Sequence, residues 1–284
     1  MRRVLVVADL EGITGVDALD ALIAGAPSYA PASARMTDEV AFVARLLLGR
    51  GVESIVISDA HRSGAPTNLD AARLPSGCEV RVEDDMYGGP LLDGVDAVVC
   101  VGMHALGRSP GFAAHTVSVN TEWTLGCLAL TETHLALLLA AERGVPLWCS
   151  AGDDVLEEQL GGVVPFVRTK HALSRAAAQS LPLAGVQARF EQVLRGAPAA
   201  MPSVPREPLR LRFQRAVEAD HAERAGGRRV SATELELAPR QTFQHQYDEA
   251  LALVAAAEGP LLARLADLPD TAHAAQLLLE PWED

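Results

Sequence analysis

At 284 residues the chain is long enough for one large or two moderate domains with a substantial buried core. Aliphatic residues and alanine are abundant and only 4% of residues are aromatic, which fits a layered α/β protein rather than an aromatic-rich binding module. A formal net charge of −13 argues against nucleic acid and anionic membranes as partners, because phosphate and acidic lipid would be repelled, and leaves a cationic small ligand open.

The start Met1-Arg2-Arg3 imitates a signal peptide, but Asp9 and Glu11 interrupt the apolar run too early. No later stretch reaches the uncharged length of a membrane helix, so a cytoplasmic location is expected. Val4-Leu5-Val6-Val7-Ala8 reads as a strand buried on both faces, and it ends abruptly in Asp9-Leu10-Glu11-Gly12. Carboxylates at the edge of a core are costly unless something positive meets them. In an extended chain Asp9 and Glu11 point to the same side and reach one ion or a pair of ions. An acidic turn that caps the next segment fits the same residues.

Thr37-Asp38-Glu39 predicts the N-cap and acidic first turn of a helix that carries Val40, Val43, Ala44, Leu47 and Leu48 on one face and stops at Gly49 and Gly51. A second strand, Ser54 to Ser58, runs into Asp59-Ala60-His61, and a third, Ala97 to Val101, into Gly102-Met103-His104. A helix from Glu132 to Arg143 leads through Gly144-Val145-Pro146 to a fourth strand, Leu147 to Ser150, which stops at Gly152-Asp153-Asp154. The fold class expected is therefore α/β, a mostly parallel layered sheet with its site at the carboxyl ends of the strands. Helices are expected at Ala172 to Ser180 and Val186 to Arg195. The Gly-, Ala- and Pro-rich stretch 196–205 then reads as a linker. It separates a catalytic domain, 1–197, from a smaller α+β part, 206–284. That part holds a strand Leu209 to Phe213, a helix Ala216 to Arg224, a strand from Val230 to Leu237, and an amphipathic helix Tyr247 to Glu258 that serves either subunit contacts or the core. Cys78, Cys100, Cys127 and Cys149 form no CxxC pair and read as core thiols.

Asp9 and Glu11 with His61 and His104 make a mixed oxygen and nitrogen donor set. Such a set suits zinc, manganese or cobalt, and the lack of thiolates disfavours a purely structural zinc site. A carboxylate that bridges two ions would give a centre able to hold a hydroxide and polarise a carbonyl together. Gly12-Ile13-Thr14-Gly15 lacks both the Walker lysine and the GxGxxG spacing, so nucleotide binding is not indicated. His171, His221, His245 and His273 have no partner at ligand spacing and read as ordinary polar positions. Asp59 and Asp153 are placed either to orient ligand histidines or to cap the following loops.

Several motifs together resemble the bacterial zinc D-aminopeptidases of the dipeptide-transport type. They are Ala8-Asp9-Leu10-Glu11-Gly12-Ile13-Thr14-Gly15, Met36-Thr37-Asp38-Glu39, Ser58-Asp59-Ala60-His61 with Asn68-Leu69, Gly102-Met103-His104-Ala105, His115-Thr116, and Gly144-Val145-Pro146 leading to Ala151-Gly152-Asp153-Asp154. Lys170 and Ser174-Arg175 also fit, so the resemblance spans most of residues 1 to 180. It implies two zinc ions per chain, with Asp9, Glu11, His61, His104 and Glu132 as ligands and Asp9 as the bridge. The Glu132 context, Thr131-Glu132-Thr133-His134, departs from the family's usual Gly-Glu pattern; spacing to Gly144-Val145-Pro146 favours Glu132 over Glu122, and His134 competes with it. His115 would be the catalytic histidine, serving as proton donor, oxyanion stabiliser or nucleophile. Lys170 and Arg175 would neutralise a substrate carboxylate or lie on a solvated helix, the second being favoured. The resemblance further implies an aminopeptidase that releases a D-residue such as D-Ala from short peptides through metal-activated water. It also implies a ring-shaped homo-oligomer such as a decamer. A metal amidase or lactam hydrolase, and a non-catalytic ligand-binding α/β domain, are the rival readings.

Overall fold

The computed structural model describes residues 1–62, 65–83, 85–198, 200–266, 277 and 279–283, and His273 lies outside them. The apolar run near the start is β1 (Arg3–Ala8), and both its faces are covered. It pairs in parallel with β2 (Ser54–Asp59) on one side and β4 (Ala97–Met103) on the other. With β3 (Cys78–Arg81), β7 (Leu147–Asp153), β8 (Phe166–Ser174) and β9 (Ala177–Ser180), these build a seven-stranded sheet in the order β3-β2-β1-β4-β7-β8-β9. All neighbours are parallel except β8 and β9.

Side chains alternate across this sheet, so each face has its own core. Val4, Val6 and Ala8 of β1 face α1 (Tyr29–Gly49) and α4 (Leu183–Arg195), where Met36, Val40, Val186 and Phe190 are buried with them. Leu5 and Val7 face the other way, toward α2 (Glu132–Glu142). Residues 132 to 140 of α2 are buried without a break, as expected of a helix covered on all sides. The same core takes in a second, antiparallel sheet and, through Ala219, Ala222, Tyr247 and Ala250, the helices α5 (Ala216–Arg224) and α6 (Phe243–Ala266). The second sheet joins β5 (Thr121–Leu125) and β6 (Leu128–Leu130) to β10 (Leu209–Phe213), β11 (Arg228–Arg229) and β12 (Glu234–Leu237), in the order β11-β12-β10-β5-β6. Its β5–β10 pairing, Trp123 opposite Leu211, carries backbone hydrogen bonds across the boundary expected at 197–206.

Three expectations are corrected, and several strands were not foreseen. The first helix begins at Tyr29, not Thr37, whose hydroxyl donates to the Ser33 carbonyl at 3.0 Å within the helix. Pro31 hides that start, yet it stands in the first turn, where no amide partner is needed. The helix expected from Ala172 to Ser180 is the β8–β9 hairpin: alanine favours helix locally, and the antiparallel β8–β9 pairing with a bond from the Ala178 amide to the Asp17 carbonyl overrides it. The strand expected from Val230 is confined to Glu234–Leu237 because a turn closes first, with the Val230 amide on the Glu234 carbonyl. Finally, β3, β5, β6 and β11 are strands with no expectation behind them. Among the described residues no helix is long and apolar enough to cross a membrane.

Candidate metal centre

The carboxyl ends of β1, β2 and β4 place Asp9, His61 and His104 side by side, and Glu132 is the first residue of α2. After Ala8 the chain turns instead of staying extended. The Asp9 amide donates to the Val101 carbonyl at 2.9 Å and the Gly12 amide to the Gly102 carbonyl at 2.7 Å. This approach requires glycine on both sides. A Cβ at Gly12 would stand 2.1 Å from the Met103 carbonyl oxygen, and one at Gly102, whose φ is +80°, 2.0 Å from that of Asp9.

The three histidines are set up alike. His61 Nε2 faces the Leu22 carbonyl at 2.8 Å, His104 Nδ1 the Ala105 carbonyl at 3.0 Å and His115 Nδ1 the Ala113 carbonyl at 2.8 Å. A carbonyl only accepts, so each of these nitrogens carries the proton and the other ring nitrogen offers a lone pair. Those lone pairs point at carboxylates. His61 Nδ1 lies 3.1 Å from Glu11 Oε2 and 3.3 Å from Asp9 Oδ1. His104 Nε2 lies 3.4 Å from both Asp9 Oδ2 and Glu132 Oε2, is buried, and has no hydrogen bond of standard geometry among the described residues. His115 Nε2 is 3.9 Å from Glu132 Oε1, and its ring stacks on that of His104 with centroids 4.1 Å apart.

A lone pair facing a carboxylate in a buried site repels it unless a positive charge sits between, and a proton or a metal ion meets that demand. Burial opposes charge on His61 and His104, yet the Glu11 carboxylate at the first and Glu132 at the second, with Asp9 at both, outweigh it and hold both pKa values well above the usual histidine value. Burial likewise opposes charge on Asp9, but hydrogen bonding to His104 and His61 drives its pKa well down. His115 is pushed the other way, by burial and then by His104, and is neutral. The donor atoms fall into overlapping triads within 4.8 Å: Asp9, Glu11 and His61; Asp9, His104 and Glu132; and Glu11, His104 and His115. Neutral imidazoles with carboxylates suit a zinc-type ion, so the residues fit the group that the resemblance implies.

All six residues expected at the site are thus brought together. Two others that the sequence did not flag support them. Tyr87 donates its hydroxyl to Glu132 Oε2, and the Val117 amide donates to Oε1 at 2.8 Å. Lys170 is a correction: it is on β8, not a solvated helix, is fully buried, and donates to the carbonyls of Glu11 (2.6 Å) and Val16. Burial lowers its pKa to about 8 despite Asp17. Arg175 lies in the β8–β9 turn, with its guanidinium 3.4 Å from the Ala114 carbonyl. Asp59 and Asp153 act as caps rather than on the histidines, Asp59 accepting from Thr67 and Asn68 and Asp153 from the Leu156 amide of α3 (Asp154–Leu160). His171 does meet a carboxylate, Asp154, at 2.7 Å, outside the cluster. Glu122 pairs instead with Arg108, and His134 turns back to cap α2 through the Thr131 amide.

The sequence model of the D-aminopeptidase family matches residues 1–255. No curated protein gives a significant match. Among solved structures, "Zn-dependent D-aminopeptidase DppA from Bacillus subtilis, a self-compartmentalizing protease" is similar with a TM-score of 0.82 at 19% identity, over 90% of this chain and 98% of that one, and so shares the fold. The family match takes in β1 to β12 and every residue of the cluster. The chain therefore belongs to the D-aminopeptidase family and is a metal-dependent aminopeptidase.

Proposed function

We propose that this enzyme releases the amino-terminal residue, a D-amino acid such as D-Ala, from short peptides, using two zinc ions per chain. Asp9, Glu11, His61, His104 and Glu132 are the ligands in this reading. The observation that carries it is the position of Asp9: its two oxygens face different histidines, and it belongs to two donor triads at once. A carboxylate so placed is a natural bridge. When bound, the ions supply Lewis acidity that polarises the scissile carbonyl and activates water. The chain's own residues do the rest. Three backbone carbonyls fix the imidazoles, so the lone pairs converge without rearrangement.

His115, like His61, is a half-buried member of the cluster, whereas Asp9, Glu11, His104 and Glu132 are buried. Neutral, with Nδ1 committed to the Ala113 carbonyl, it has Nε2 free to take a proton from the attacking water or return one to the leaving amine. His115→Ala is expected to keep its metal and lose at least ~100-fold in kcat; full activity would remove that role. His104→Ala should lose metal as well, and undiminished metal content there would break the ligand set. The deciding measurement is metal per chain by mass spectrometry, with release of free amino acid from L- and D-alanyl dipeptides before and after chelation. Two zinc ions with chelator-sensitive, D-selective release is the expected result; zinc without release from either series would favour a non-peptide amide as substrate.

The ring-shaped homo-oligomer and the cytoplasmic location also belong to this proposal. The self-compartmentalizing description of the structural neighbour supports assembly. Light scattering coupled to gel filtration measures it, and a monomer at micromolar concentration would exclude the ring.

A further inference from the structure

We propose that Tyr87 is a positioning residue of the metal centre, whose hydroxyl, together with the Val117 amide, sets the plane of the Glu132 carboxylate. The inference rests on Glu132 being a ligand, as read above. Tyr87 is 1% exposed and its hydroxyl reaches Glu132 Oε2 at 2.5 Å, while Val117 takes Oε1. Each oxygen thereby gives one lone pair to a fixed donor and keeps another toward a histidine, Oε2 toward His104 and Oε1 toward His115. Both donors are costly to place. Val117 sits at φ 67°, the left-handed region that a β-branched residue seldom occupies, and its amide has the Glu132 carboxylate as the return for that conformation. Tyr87 buries its phenol hydroxyl beside the Glu132 carboxylate, away from solvent.

The Tyr87 segment is tied down by a circuit that starts and ends on α2. Glu142, at the far end of α2, accepts the Phe243 and Gln244 amides that open α6, at 2.6 and 3.0 Å. Gln244 in turn donates to Asp85 Oδ2 at 2.8 Å and accepts the Gly89 amide at 2.9 Å. Asp85 Oδ1 then accepts the amides of Tyr87 and Gly88, at 3.3 and 2.7 Å. Tyr87 closes the circuit on Glu132, the first residue of the same helix. The carboxylate is thus held against the helix that carries it, and its orientation does not depend on the ion it serves.

Tyr87→Phe removes only the hydroxyl. With competition against a chromophoric chelator as the probe, zinc affinity for at least one equivalent is expected to fall about 10- to 100-fold. At saturating zinc, kcat on a D-alanyl dipeptide should fall while KM changes less than about two-fold, a split that a loss of packing alone does not give. Tyr247→Phe is the control: its hydroxyl is buried in the same core without a hydrogen-bond partner among the described residues, so zinc affinity and kcat should stay at wild-type values. Wild-type affinity and kcat in Tyr87→Phe overturn the proposal. Should that variant not fold, Asp85→Ala, which cuts the circuit outside the core, decides in its place: weaker zinc binding supports the proposal and unchanged binding overturns it. Glu132→Gln separates the two layers of the argument. Loss of zinc there with Tyr87→Phe unaffected defeats the positioning role alone; retention of zinc by Glu132→Gln defeats the ligand reading and the proposal with it.

Discussion

His104 shows what a single residue contributes when both ring nitrogens have work. One is fixed by the Ala105 carbonyl, and the other faces Asp9 and Glu132 with no other hydrogen-bond partner among the described residues. Asp9, Glu11, His61 and His104 were legible because each follows an apolar run that gives burial no reason to end in a polar residue. Lys170 was not legible, since a lysine reads as solvated unless its strand is known to be interior. Tyr87 was hidden by its distance in sequence from Glu132. Glu39 offers a separate test at this scale. It is buried, its Oε2 accepts the Thr14 amide at 3.2 Å, and its Oε1 has no partner among the described residues. Burial raises its pKa above the carboxylate norm, so the folded state holds a proton that the unfolded state has released. Its contribution is fully present below the unfolded pKa and is lost as pH rises through the folded one. Glu39→Gln is therefore expected to flatten the decline in stability with rising pH on the mildly acidic side, and to match or exceed wild type at neutral pH. Urea unfolding of both proteins across that range checks it; parallel pH profiles would refute it.

At the scale of elements, the centre depends on how closely the ends of β1 and β4 approach. Gly102→Ala would drive a methyl into the Asp9 carbonyl from a left-handed backbone, and should cost at least ~3 kcal/mol and most zinc binding. Gly144→Ala supplies the comparison, because its φ is also positive, +71°, but nothing lies within 4 Å of the added carbon. There only the conformational term of about 1 kcal/mol applies. Denaturant melts of the two variants should differ by that margin. The parallel strands were legible as uninterrupted aliphatic runs, and their crossover helices by periodicity. The β8–β9 hairpin was not, for its alanines carry no strand signal and its register is set by neighbours far along the chain. The short strands β5 and β6 were missed for the same reason, β5 being defined by β10 and β6 by β5 rather than by their own composition.

For the molecule as a whole, the ions are expected to be part of the stability as well as of the chemistry. A ligand that binds only the folded state adds about 2.7 kcal/mol when free metal is at 100 times Kd, so chelation should lower the melting temperature and added zinc should restore it. An unchanged melting temperature after verified metal removal would show that the cluster is preformed and energetically independent. The α/β class was readable from strand spacing, and the composition change at 196–205 was read as a boundary between two parts. The stitching between the parts was not, because no local pattern records that Thr121–Leu125 pairs with Leu209–Phe213.

That stitching also has a consequence in time. During synthesis β5 emerges well before β10, and until residue 213 has left the ribosome it presents an unpaired edge flanked by Trp123 and Leu125, both destined for the core. The large parallel sheet can assemble first, but its α2 face stays uncovered through that interval. A nascent chain ending at residue 197 should therefore be a holdase client and accumulate in inclusion bodies when expressed alone, whereas one extended past α6 should not. Premature termination anywhere in the linker would then produce an aggregating fragment instead of a smaller working enzyme.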